Sequence, residues 1–208
     1  MTDTRRSLIL AAGALLLPGA ALAQSKLSAE DGALVQQASD YLQGLTKAKG
    51  RFTQTSARGA VTRGTLYISR PGKARFAYDA PSNLLVVSDG YNVSVWDARL
   101  KTFDRYPLGA TPLSLLLAKS IRLDQGVVIT GVRRFSDGFA ITAKDGKRQA
   151  EGQITLSFSS NPVALREWSL VDGQGSTTRV TLNSLEKVST LDGGLFVLRD
   201  PRPRSGRT

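Results

Sequence analysis

Apolar and polar positions alternate in short runs through most of the chain, and turn residues separate the runs. In the stretch 153–158, Ile154, Leu156 and Phe158 fall on one side of an extended chain and Gln153, Thr155 and Ser157 on the other. The same period of two predicts strands over 51–56, 61–69, 73–78, 84–88, 92–96 and 102–106. It predicts a second set over 127–132, 139–142, 153–158, 165–170, 177–182 and 196–198. So many short strands with regular turn signals predict one large antiparallel sheet, curled or closed. Two turns are legible. Pro71 and Gly72, between Arg70 and Lys73, suit the second and third positions of a type II turn, where Pro presets φ and Gly accepts a positive φ. Asp89-Gly90 predicts a short hairpin.

Two segments follow the helical period instead. Ser28 is placed to cap a helix with Glu30 and Asp31 in its first turn. Leu34, Val35, Ala38, Tyr41, Leu42 and Leu45 then recur at helical spacing, which predicts one amphipathic helix ending near 47–50. Core packing is the ordinary role of such a face; a movable cover is the functional one. Further on, Thr111 as cap and Pro112 at the first position open a short helix carrying Leu113, Leu115, Leu116 and Leu117. It has little polar face and must bury against something. The concave side of a curled sheet offers that surface.

The first 23 residues read as a cleaved export leader. Arg5 and Arg6 make a basic start, 8–17 an apolar stretch, and Ala21-Leu22-Ala23 a cleavage site before Gln24. Thr4-Arg5-Arg6-Ser7-Leu8-Ile9 also resembles a twin-arginine signal, with Leu8 where Phe is usual, so both export routes stay open. Residues 199–208, rich in Arg and Pro without apolar periodicity, read as a basic, disordered tail. The domain expected between them is 24–198.

Composition mostly excludes. The chain has no Cys and no His, which removes Ser-His-Asp and Cys-His catalysis, disulfides and most zinc sites. The carboxylates, among them Asp79, Asp89, Asp97, Asp104, Asp124, Asp137, Asp145 and Glu151, mostly stand at turns or strand ends, and no spacing makes an acid–base pair. There is no nucleophile elbow, P-loop or dinucleotide fingerprint. A net charge of +11 fits nucleic acid, an anionic membrane or an acidic partner. Export disfavours nucleic acid. So does the alternation, which puts Phe76 and Tyr78 on one face and Arg75 on the other.

What remains is apolar. Leu66, Ile68, Phe76, Tyr78, Leu84 and Val86 sit at alternating positions on neighbouring strands, with Leu113, Leu115, Leu116 and Leu117 available to cover them. Such a set is either a filled core or the lining of a cavity for an apolar ligand.

In order along the chain stand Phe52-Thr53-Gln54, Gly64 to Tyr78 with Arg70-Pro71-Gly72-Lys73 inside it, Pro81, Val86-Val87-Ser88-Asp89-Gly90, and Thr111-Pro112-Leu113. This ordered set resembles the periplasmic outer-membrane lipoprotein carrier family, LolA; it is dense over 50–118 and thin after about 120. The resemblance implies a mainly β fold with a few helices: an incomplete, half-open antiparallel β-barrel with helices covering its concave face. It implies a monomeric, non-enzymatic periplasmic chaperone without cofactor or metal. Such a chaperone takes the acyl chains of lipoproteins from an inner-membrane lipoprotein-releasing ABC transporter and hands them on at the outer membrane, to an acceptor there or directly. It makes Leu66, Ile68, Phe76, Tyr78, Leu84, Val86, Leu113, Leu116 and Leu117 the cargo surface, and gives Arg70 the task of holding the cover closed and coupling it to release. Two positions depart from the family pattern: Ala74 replaces an aromatic, and Ser94 replaces a Trp that Trp96 follows two places later. A lipid- or lipoprotein-sensing envelope domain of the same fold is the other reading. The acceptor form of the fold, normally lipidated on Cys, is disfavoured by the absence of that residue.

Overall fold

The structure is a computed structural model, and it describes residues 27–111, 113–119, 127–146 and 152–202. The expected leader, Pro112 and the end of the expected tail lie outside these residues. Helix α1, Ala29–Gly44, begins as its sequence predicts: the Ser28 hydroxyl accepts the Asp31 amide at 3.0 Å. Eleven strands follow. They are β1 Lys47–Thr55, β2 Val61–Ser69, β3 Lys73–Tyr78, β4 Leu84–Asp89, β5 Asn92–Asp97, β6 Thr102–Pro107, β7 Val127–Arg134, β8 Gly138–Asp145, β9 Gln153–Ser160, β10 Val163–Val171 and β11 Thr177–Lys187. Between β6 and β7 come a 3-10 turn, Leu108–Ala110, and the short helix α2, Leu113–Leu117.

All eleven strands form one antiparallel sheet in the order β6-β5-β4-β3-β2-β1-β11-β10-β9-β8-β7. The chain starts in the middle, works out to one edge at β6, reappears at the opposite edge at β7 and returns to pair β11 with β1. Because β6 and β7 are consecutive in sequence and unpaired in space, the sheet stays open, and the segment bearing α2 must cross from one edge to the other.

The curl can be measured from side chains. Phe76 on β3 and Trp168 on β10 are four strand spacings apart, about 19 Å in a flat sheet. Their ring centroids are 6.2 Å apart. The sheet therefore bends until its inner face meets itself. Phe52, Leu66, Ile68, Phe76, Ile141, Ile154, Leu156, Phe158, Leu165, Trp168 and Val180 are buried there with Val35, Ala38 and Leu42 of α1. Tyr41 places its ring edge against Phe158 at 6.0 Å.

Two boundaries differ from the sequence reading. Helix α1 stops at Gly44, and the expected helical stretch 47–50 is already strand, with Ala48 and Gly50 turned inward between exposed Lys49 and Arg51. Residues 196–198 are not a strand: the Asp192 side chain accepts the Gly194 amide at 2.8 Å and starts a 3-10 turn, Gly193–Phe196. That turn lies on the outer face of the sheet, where Phe196 is buried and Arg75 Nη1 donates to the Leu195 carbonyl at 3.0 Å. Past it, Asp200 pairs with Arg202 at 2.7 Å and Arg202 sits 5.9 Å over the Phe103 ring. At the expected turn, Ser69 pairs with Lys73, so three residues, Arg70 to Gly72, join β2 to β3, and the Arg70–Pro71 bond is cis. Gly72 does take the positive φ, 78°.

Gly64 matters for a different reason. A Cβ there would lie 2.7 Å from the Phe52 ring and closer still to the Ala77 carbonyl oxygen. Neither can retreat, because Phe52 is wedged against Phe76 and Ala77 is in the ladder. Gly64→Ala is expected to cost about 1–3 kcal/mol, read from the urea midpoint with the slope unchanged.

Candidate functional site

The strands β1 to β4 deliver the inner face in register. Leu66 stands opposite Phe76, Ile68 opposite Ala74, and Phe76 opposite Val86. Leu66, Ile68, Phe76, Leu116 and Leu117 are buried in one cluster, with Tyr78, Val86 and Leu113 packed against its margin. Leu84, at the start of β4, is half-buried and is not part of that cluster. The structure thus brings eight of the nine expected apolar residues together. It adds residues that were not among the expected cargo surface: Phe52, Trp168, Leu165, Leu156 and Val180. Phe52 stands in the Phe52-Thr53-Gln54 triplet; for the others, in a half that no motif marks, the alternation in 153–158 and the strands expected over 165–170 and 177–182 were the only signal.

The Phe52-Thr53-Gln54 triplet acquires a structural meaning. Phe52 and Gln54 point inward and Thr53 outward, where its hydroxyl donates to Asn183 Oδ1 at 2.9 Å. The Tyr78 ring meets Phe52 edge-on at 5.1 Å, and its hydroxyl donates to Gln54 Oε1 at 2.6 Å. Burial pushes the Tyr78 pKa up to about 12, against the opposing pull of that hydrogen bond. Its folded value lies above the ordinary 10, so the phenol contributes stability that is intact below about pH 10 and lost as pH rises toward 12. Raising the pH across that window is expected to remove about 2 kcal/mol from the wild-type unfolding free energy. Tyr78→Phe is expected to lose less, both followed by urea unfolding.

Of the two departures, Ala74 is on the inner face, 1% exposed, opposite Ser88. Ser94 is buried on the outer face, beside Val87 and Phe196 at a hollow of about 170 Å³. Only the first bears on the inner lining.

Arg70 joins the helices to the sheet. Its Nη1 donates to the Leu42 carbonyl in the last turn of α1, and its Nη2 donates to the Ala118 carbonyl just past α2 at 2.9 Å. The turn adds two backbone bonds: Arg70 N–H to the Thr46 carbonyl at 2.7 Å, and Gly72 N–H to the Leu117 carbonyl at 2.8 Å. The ends of helices carry unpaired carbonyls and partial negative charge, and neither helix has a basic residue in its last turn. One guanidinium therefore serves both. Burial works against its charge and lowers its pKa, yet an arginine stays protonated in proteins. Its Nε is buried without a hydrogen-bond partner among the described atoms. The hydroxyl of Thr111, the residue expected to cap α2, donates back to the Leu108 carbonyl at 2.8 Å, which ties down the preceding 3-10 turn.

An open antiparallel sheet curled round an apolar face, with two helices pinned over it by a single cation, defines a covered β half-barrel. The family model described as Outer membrane lipoprotein carrier protein LolA matches residues 43–199. The chain belongs to that family. An outer-membrane lipoprotein carrier protein of Pseudomonas aeruginosa is 28% identical over 206 residues, 90% of this chain and 93% of the relative. One of Cupriavidus pinatubonensis is 26% identical over 215 residues, 95% of this chain and 96% of the relative. Among solved structures, a LolA superfamily protein of Nitrosomonas europaea, 8% identical, superposes with a TM-score of 0.46 over 81% of this chain and 97% of the other. Among the described residues, no helix is long and apolar enough to cross a membrane.

Proposed function

We propose that this chain carries lipoproteins by their acyl chains across the periplasm, from the inner membrane to the outer membrane, and that the inner face of the half-barrel is the cargo surface. The observation that carries the reading is the arrangement at Arg70, which ties both helices over an apolar face through a few hydrogen bonds. Burying a CH₂ is worth about 0.8 kcal/mol, so one chain of about 16 carbons resists leaving a bilayer by roughly 12 kcal/mol. A carrier must offer comparable apolar area and yet let go. Side chains that pack on one another when cargo is absent meet both needs, because cargo gains only the difference between its contacts and theirs. On this reading Leu66, Ile68, Phe76, Tyr78, Leu84, Val86, Leu113, Leu116 and Leu117 contact acyl chains, joined by Phe52 and Trp168. Arg70 favours the closed, empty state. The partners are an inner-membrane lipoprotein-releasing ABC transporter, which would do the work of extraction, and an outer-membrane acceptor or the membrane itself. The reading invokes no enzymatic step.

The test is uptake of a fluorescent acyl probe by the purified protein and its displacement by a triacylated peptide. Saturable uptake, displaced by triacylated but not unacylated peptide, is the expected result. A folded protein that takes up no acyl probe rules the reading out.

A further inference from the structure

One charged region has no part in the cargo surface. At the end of the sheet away from the Arg70 turn, the loops 56–60, 79–83 and 98–101 lie beside a hollow of about 440 Å³, whose walls include Val61, Arg63, Asp79, Pro81, Ser82 and Arg99. Its one carboxylate is engaged: Asp79 is held by both Nη atoms of Arg51, which also donates to Thr65 Oγ1 at 2.8 Å. Arg63 and Arg99 are exposed and form no salt bridge among the described residues. Arg58 and Lys101 are exposed on the same loops.

Two aliphatic side chains stand out among these cations. Val61 is 54% exposed and Leu100 is 56% exposed. Leu100 is held outward by design of its turn: Asp97 Oδ1 accepts the amides of Arg99 and Leu100, each at 2.9 Å. The large exposed aromatics Tyr91, Tyr106 and Phe135 lie toward the other end of the sheet. Protein interfaces concentrate binding energy in Tyr, Trp and Arg. Cations flanking protruding aliphatics fit a bilayer surface, where the cations meet lipid phosphates and the aliphatics enter the interface.

We propose that this end of the sheet docks the protein on a phosphate-bearing, anionic lipid surface, with a headgroup phosphate between Arg63 and Arg99 and with Val61 and Leu100 in the interface. The carrier reading supplies the use of such a contact, since cargo passes between bilayers; the docking chemistry stands without it.

Flotation with vesicles tests it, using the chain from Gln24 so that the leader cannot contribute. Binding is expected to phosphatidylcholine vesicles containing about one third phosphatidylglycerol, weakening as salt rises, and not to pure phosphatidylcholine. Arg63→Gln with Arg99→Gln is expected to weaken it about 30-fold. Val61→Ser with Leu100→Ser is expected to weaken it as well, and both variants should keep the wild-type urea midpoint. Equal binding to neutral vesicles, unchanged binding by the glutamine variant, or loss only on removing residues 203–208 would each overturn the proposal. So would a response to glycerol 3-phosphate without any vesicle binding, which would make the hollow a small-anion site. Acyl-probe uptake measured in parallel separates the two ideas. Uptake without vesicle binding defeats the docking alone, and vesicle binding without uptake defeats the carrier reading alone.

Discussion

Replacing Arg70 with leucine is expected to leave the sheet folded and to make the protein hold acylated cargo about 30-fold more tightly, so that release to acceptor vesicles slows by a similar factor. The guanidinium closes two helix ends, and a hydrogen bond from a charged group is worth about 1.5–3 kcal/mol. Burial of the same cation offsets part of that. A net loss of about 2 kcal/mol from the closed state is a reasonable magnitude, and about 30-fold follows from it. Leucine keeps the apolar stem but takes the guanidinium from both carbonyls, leaving Leu42 with only the Leu45 amide at 3.1 Å. Far-UV circular dichroism checks the fold, and transfer of a triacylated peptide to vesicles checks release. Arg70→Lys should fall between, since one ammonium cannot match the guanidinium fork that reaches both carbonyls. A variant that releases cargo at the wild-type rate would remove Arg70 from the mechanism.

Trp168→Ala is expected to give the largest loss of stability, about 3–5 kcal/mol, because it empties the centre of the inner face. Trp168 is 1% exposed and meets Phe76 across the curl, so neither strand pairing nor a neighbouring helix can fill its place. If cargo occupies this space, an acyl chain should restore part of the loss. The urea midpoint of the variant should then rise more with bound acyl peptide than that of the wild type. An equal rise in both would place the cargo elsewhere.

How much of this was visible in the sequence follows from what each feature depends on. Strands show because alternation is local, and Gln153, Ile154, Thr155 and Leu156 declare their faces without any partner. The cap at Ser28 is local too, and it formed as expected. The start of β1 was hidden because Lys47, Lys49 and Arg51 dominate a stretch whose inward positions are only Ala48 and Gly50. Phe196 carries a strand-like residue type, but Asp192-Gly193-Gly194 imposes a turn before it. The family resemblance lies where the motifs are dense, so it pointed to the first half of the inner face and passed over Trp168, Leu165 and Val180. Their meeting with Phe76 depends on how far the sheet bends, a property of eleven strands together. The sequence singled out Arg70 but not its partners, since every residue has a carbonyl and only the fold decides that those of Leu42 and Ala118 arrive together.

The inner face as cargo surface is tested most directly by photocrosslinking. A photoreactive phenylalanine analogue is placed at Phe76 or Leu116 on the inner side, or at Thr65 or Tyr67 on the outer side, and the protein is irradiated with triacylated peptide. Crosslinks at 76 and 116, competed by unlabelled triacylated peptide and nearly absent at 65 and 67, are the expected result. Equal labelling on both sides, or labelling confined to 65 and 67, would contradict it.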